Sequence, residues 1–211
     1  MAFTQEGLLG KFSGKLGNLV IYQMNGKIVM RAKPGKRTKP AGGRQKETQT
    51  NFARVMGILQ PLKSFVKMGF NDLAGGTYVF HKAISENLKR YYDAPDPNDL
   101  RWLLLSKGER AGALDLVLEM GEGQATVRWG AHEAGKPFDE DDRVMLLAIN
   151  TTSLEFTENP SAGKRSQGQA SIALPPVKPG EQVLVFISFM DVAGRLLGCD
   201  PKNISDSQLL A

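Results

Sequence analysis

The sequence predicts a mixed α+β protein: an N-terminal β-hairpin, a basic extended arm and two to three helices, then an antiparallel β-sandwich of immunoglobulin or fibronectin type. Three observations carry that expectation. Two β-rich runs are separated by Asn25-Gly26 alone. Apolar residues then recur at helical spacing from Phe52 to Tyr91. Beyond residue 99 the pattern is one of seven or eight short strands in about 110 residues, as in such a sandwich.

Residues 7–17 (GLLGKFSGKLG) hold too many glycines for a regular element. Residues 18–24 (NLVIYQM) and 27–33 (KIVMRAK) are the two hairpin strands. Asn-Gly between them takes the positive φ angles of a type I′ turn, whose twist matches the flanking strands. Residues 33–46 (KPGKRTKPAGGRQK) carry six Lys or Arg and no large apolar side chain. Such a segment cannot bury enough surface to offset its ordering entropy, so an extended arm is expected.

Thr48 or Thr50 is placed to cap a helix with Phe52, Val55, Met56 and Leu59 on one face. Pro61 ends or kinks it, or opens a second helix bearing Leu62, Phe65, Val66 and Met68. Gly75-Gly76 interrupts the chain, and Thr77 caps a further helix with Val79, Phe80, Ala83, Ile84, Leu88 and Tyr91 apolar. Asp93-Ala-Pro-Asp-Pro97 stops it and marks a boundary between domains 1–93 and 94–211. The expected strands are 101–106, 113–119, 124–129, 143–150, 154–157, 170–174, 182–190 and 195–198. Gly121-Glu-Gly123, Gly135-Lys-Pro137, Asn159-Pro160 and Lys178-Pro-Gly180 supply turns between them.

The net charge of +5 conceals an asymmetry. Residues 1–54 carry +9, residues 55–93 carry +2 and residues 94–211 carry −6. Two ends of opposite sign face different partners, or face each other in neighbouring copies. No run reaches the roughly 20 apolar residues that span a bilayer. The first residues lack the pattern of a secretory signal, so cytoplasmic synthesis is expected, with incorporation into a particle left open. Cys199 is the only cysteine, which excludes an intramolecular disulfide and a cysteine-based zinc site.

Enzyme signatures fail one by one. Gly10-Lys-Phe-Ser-Gly14-Lys15-Leu16 has one residue too few between its glycines for a phosphate-binding loop, and Leu where magnesium needs a hydroxyl. Gly121-Glu-Gly123 precedes a strand and reads as a hairpin turn. Ser64-Phe-Val-Lys67 matches S-x-x-K but lacks the accompanying K-T-G, so both polar residues read as a solvated helix face. His81 reads as a structural, partner-bonded histidine on a helix, and His132 as a loop residue; neither has a nucleophile nearby in sequence. Asp139-Glu-Asp-Asp142 lacks the alternate spacing and glycine of a calcium loop and reads as a solvated turn. Trp102 and Trp129 read as packing residues. No enzyme, cofactor or metal site is expected.

The candidate partner- or anion-binding residues are Lys27, Arg31, Lys33, Lys36, Arg37, Lys39, Arg44 and Lys46. On a Gly/Pro backbone they could track phosphates without reading sequence, although the arm has no aromatic residue for base stacking. They could equally form a solubilising linker. The opposite charges of the two halves favour a third reading, an arm lying along the acidic half of a neighbouring copy.

The run GKLGNLVIYQMNGKIVMRAKP, then ETQTNFARV, LQPLKSFVKMGF and HKAISENLK, resembles an uncharacterised bacterial family classed as a domain of unknown function. Its members begin with a Gly-Lys-x-Gly-Asn hairpin, continue through a basic Lys/Arg-Pro arm and a helical pair, and end in a sandwich-like half. Their Ser-Asp/Asn-Ser close is matched by Ile204-Ser-Asp-Ser207. Thr38-Lys-Pro-Ala-Gly-Gly-Arg44 departs from the family's Asn-Pro-Arg-Thr-like arm, and the chain is longer around residues 193–203. The resemblance implies no activity, cofactor or catalytic residue. By analogy of architecture, the expected function is a non-enzymatic structural subunit of a bacterial or phage-derived assembly, docking through its hairpin and arm on other copies of itself or further assembly components. The alternative is non-specific nucleic-acid binding by the same arm.

Overall fold

A computed structural model describes residues 13–24, 27–36, 42–70, 77–191 and 203–210. The chain divides into two compact units, residues 1–46 and 47–211. The first holds an antiparallel sheet of β1 (Gly14–Leu16), β2 (Leu19–Met24) and β3 (Lys27–Ala32), in that order. The expected hairpin is β2 and β3, paired from Leu19 opposite Ala32 to Met24 opposite Lys27; its turn residues lie outside the described residues. β1 comes from the segment judged too glycine-rich for a strand. Gly17, at φ +56°, supports a tight turn that returns β1 onto β2.

Helix α1 (Gly43–Leu59) begins five residues before the first expected cap. The arm is therefore shorter than 33–46. After Pro40, residues 44–47 (Arg, Gln, Lys, Glu) are good helix formers with no proline to stop them. Pro61 falls between α1 and α2 (Lys63–Gly69), and α3 (Thr77–Asp93) starts and stops where expected. Gly75 and Gly76 lie outside the described residues.

Seven further strands follow: β4 (Val117–Met120), β5 (Gln124–Arg128), β6 (Arg143–Asn150), β7 (Phe156–Lys164), β8 (Gln169–Ala173), β9 (Val183–Met190) and β10 (Gln208–Leu210). They form two antiparallel sheets, β10-β9-β6-β7 and β4-β5-β8. All of β9 is buried, and all of β6 beyond Arg143. Alternation sends successive residues of these strands into two different cores. Met145, Leu147, Ile149, Leu184 and Phe186 join Val55, Leu59, Phe65, Phe80 and Ile84 of the helices. Val144, Leu146, Ala148, Val185 and Ile187 join Val127, Ala170 and Ile172 of the smaller sheet. Burial on both faces explains why VLVFISFM is apolar at all positions but Ser188. Buried residues of the helices and one set of buried residues from β6 and β9 thus share a cluster across residue 93.

Two strand expectations are corrected. Residues 101–106 form a 3-10 turn, Leu100–Trp102, followed by extended chain outside any sheet. Side chains replace its ladder: Asn87 Oδ1 accepts from the Leu104 amide at 2.8 Å, and Ser207 Oγ from the Leu105 amide at 3.0 Å. Asn159-Pro160 is no turn but lies inside β7. β7 is an edge strand, and its register against β6 shifts between Val144 and Leu146. A proline without an N–H is accommodated at such an edge irregularity. The expected strand 195–198 lies outside the described residues.

Candidate functional site

Register sorts the N-terminal sheet into two unlike faces. Leu16 lies opposite Leu19, which lies opposite Ala32; Gly14, Ile21 and Met30 form the next row, and Gln23 and Ile28 the third. Paired residues share a face. This one has no charge, and it is largely bare: Leu16 is 63% exposed, Ile28 52% and Met30 60%. The other face carries the row Lys15, Val20 and Arg31, then Tyr22 opposite Val29. Lys33 continues the alternation, its amide donating to Asn18 O at 2.6 Å. Arg31 lies over the Tyr22 ring, 5.7 Å from its centroid.

The structure thus divides the eight candidate residues. Arg31 and Lys33 are exposed on one face, and Lys27 occupies the strand position opposite Met24. Lys36 is exposed just beyond the strand. Arg37 and Lys39 lie outside the described residues. Arg44 and Lys46 are exposed in the opening turns of α1, which corrects their assignment to an extended arm. Lys15 was missed because its glycine-rich surroundings hid a strand.

The acidic run is also corrected. Asp139, Glu140 and Asp141 are exposed, but Asp142 is only 1% exposed and sits between two buried arginines. Asp142 Oδ1 accepts from Arg110 Nε at 2.7 Å and is paired with Arg110 Nη2. Asp142 Oδ2 accepts from Arg165 Nε and from the Asp139 amide, both at 3.1 Å. Arg165 also donates to Gly112 O and Ala111 O, and its guanidinium covers the Phe189 ring at 3.8 Å. Burial pulls the Arg165 pKa down, while Asp142 opposes that shift. Asp191 Oδ2 lies 3.4 Å from Arg110 Nη1.

A cleft of about 370 Å³ borders this cluster, lined by Trp129, His132, Phe138, Glu140, Arg165 and Ser166 among others. His132 stacks on Phe138 within it. His81 is exposed, against its reading as a structural histidine. Ser64 and Lys67 are both exposed, as a solvated helix face requires. The indole N–H groups of buried Trp102 and Trp129 donate to Pro97 O and Arg165 O. Among the described residues no three His, Cys, Asp or Glu side chains are grouped to hold a metal, and no helix is long and apolar enough to cross a membrane.

A family of unknown function, DUF6266, matches residues 11–199, and the chain belongs to that family. The match starts just before β1 and continues past β9, so it takes in both units. No curated protein and no solved structure matches the chain.

Proposed function

We propose that this chain is a non-enzymatic interaction subunit of a multi-subunit assembly, docking through its N-terminal sheet on other copies of itself. The observation that carries the reading is the uncharged face of Leu16, Leu19, Ile28 and Met30. Four such side chains, about half exposed, leave a patch on the order of 400 Å², the size of the largest patch on a typical monomer, which is often functional. Covering it is worth about 10 kcal/mol before the costs of association. A second copy is favoured as the occupant because residues 1–54 carry +9 and residues 94–211 carry −6, which supplies complementary charge on one kind of chain. The two antiparallel sheets with a common core support the finer reading of residues 94–211 as an immunoglobulin- or fibronectin-like sandwich.

The test is solution mass by light scattering on a sizing column. The parent chain should elute as a multiple of 23.0 kDa. The double variant Leu16→Gln/Met30→Gln should move to the single-chain mass with its circular dichroism unchanged. A monomeric parent, or a variant that keeps the parent's mass, would overturn the proposal.

A further inference from the structure

We infer that the opposite face of the same sheet is a binding site for the phosphate backbone of nucleic acid, with Lys15, Arg31 and Lys33 as its phosphate-contacting cations. The inference uses the other face of the sheet, and it draws on the same basic segment whose charge is invoked above for self-association. The sequence supplies the electrostatics: residues 7–46 contain ten Lys or Arg and not one Asp or Glu. Ordinary surfaces intersperse the two signs, and a stretch of one sign this long is the electrostatic footprint of a polyanion site.

The fold gives that charge a surface. Lys15 and Arg31 flank Val20 in a single cross-strand row, which sets their backbones about 10 Å apart. Arg31 and Lys33 alternate onto the same face about 7 Å apart along the strand direction. All three side chains are exposed, and among the described residues none is paired with a carboxylate. Lys15 and Lys33 thus present their charge to solvent, and Arg31 presents its own beside the Tyr22 ring.

Chemistry favours nucleic acid over an acidic protein. Tyr22 lies half-buried between Val20 and Val29, with Arg31 over its ring. An aromatic plane beside cations suits a base or sugar next to its phosphates. A carboxylate-bearing partner would make no use of that ring. The arm has no aromatic residue, but the strand beside it does. Arg44 and Lys46 stand on α1 and not on a strand of this sheet.

The test is fluorescence anisotropy of the full chain with a labelled duplex and a labelled single strand of mixed sequence, with poly-glutamate as competitor. Three contacts on duplex DNA give a log–log salt slope near −2.7, or about 40-fold weaker binding between 50 and 200 mM salt. Lys15→Gln/Arg31→Gln/Lys33→Gln should abolish the binding while the circular dichroism stays the same. Arg44→Gln/Lys46→Gln should keep it, and so should Leu16→Gln/Met30→Gln. Absence of binding at 50 mM salt, displacement by poly-glutamate as effectively as by unlabelled DNA, or full binding by the triple variant would each overturn the inference.

Discussion

Replacing Asp142 with asparagine should be among the most damaging single-atom-scale changes available in this chain. Asp142 is 1% exposed, Arg110 6% and Arg165 7%. The carboxylate bridges the two guanidiniums, accepting from Arg110 on one oxygen and from Arg165 on the other. After Asp142→Asn, Arg110 keeps Asp191 at 3.4 Å and Arg165 keeps carbonyl oxygens. Neither set restores a full negative charge between the two cations. Removing one partner of a buried ion pair costs about 3–5 kcal/mol, because the other is left uncompensated out of water. For a chain of this size that corresponds to a fall in Tm of about 6–20 °C. Urea unfolding measures it directly, as a lower midpoint at an unchanged m value. The adjacent Asp141 supplies the control. It is exposed and paired only with exposed Lys164, so Asp141→Asn should leave the midpoint where it is. An Asp142→Asn loss below about 1 kcal/mol would refute the argument, since surface pairs already reach that value.

Two further predictions concern other parts of the second unit. Burial pushes the carboxyl of Glu158 on β7 above its ordinary pKa. A raised folded-state pKa gives stability that is present below the unfolded pKa and lost as pH rises through the folded one. Glu158 is an exposed position of β7, so the effect is small: thermal melts should show Glu158→Gln slightly more stable than the parent at pH 7, with no difference well below the ordinary carboxylate range; a gain that persists at low pH would contradict this. Gly69→Ala would put a Cβ 2.1 Å from Leu105 O and 2.8 Å from Ser106 Cβ. Alanine's helix preference returns about 1 kcal/mol, while overpacking costs about 1–3 kcal/mol, so a net loss of stability is expected in urea and an unchanged or raised midpoint would show that the contact relaxes.

Much of the second unit was legible because its signals are local. β6 is a plain β-rich run, and α3 has a threonine start and a Pro-containing stop. What was not legible depends on partners remote in sequence. Nothing local tells that Leu104 and Leu105 satisfy their amides with Asn87 and Ser207, since the second of these is more than 100 residues away in the chain. Nor does composition separate Asp142 from the three acids before it. Only the fold brings Arg110 and Arg165 to that one carboxylate, 32 and 23 residues distant. Pro160 misled for a related reason, because proline marks a turn or an edge irregularity equally well until pairing is known.

The same principle governs the N-terminal sheet, where the charge count was visible and its arrangement was not. Lys27 and Arg31 sit at odd positions of β3, and Lys33 follows its last residue. Val20, Tyr22 and Val29 put apolar residues on the basic face as well, so simple alternation of polar and apolar residues is absent. Pairing resolves it. With Met24 opposite Lys27, Arg31 must fall opposite Val20, and Lys15 must join them across β2. A slip of one residue would turn Arg31 and Lys33 onto the uncharged face and Met30 onto the basic one. The pairing of Met24 with Lys27 is thus the feature on which both faces depend. The register converts a run of basic residues into one charged face and leaves the other uncharged.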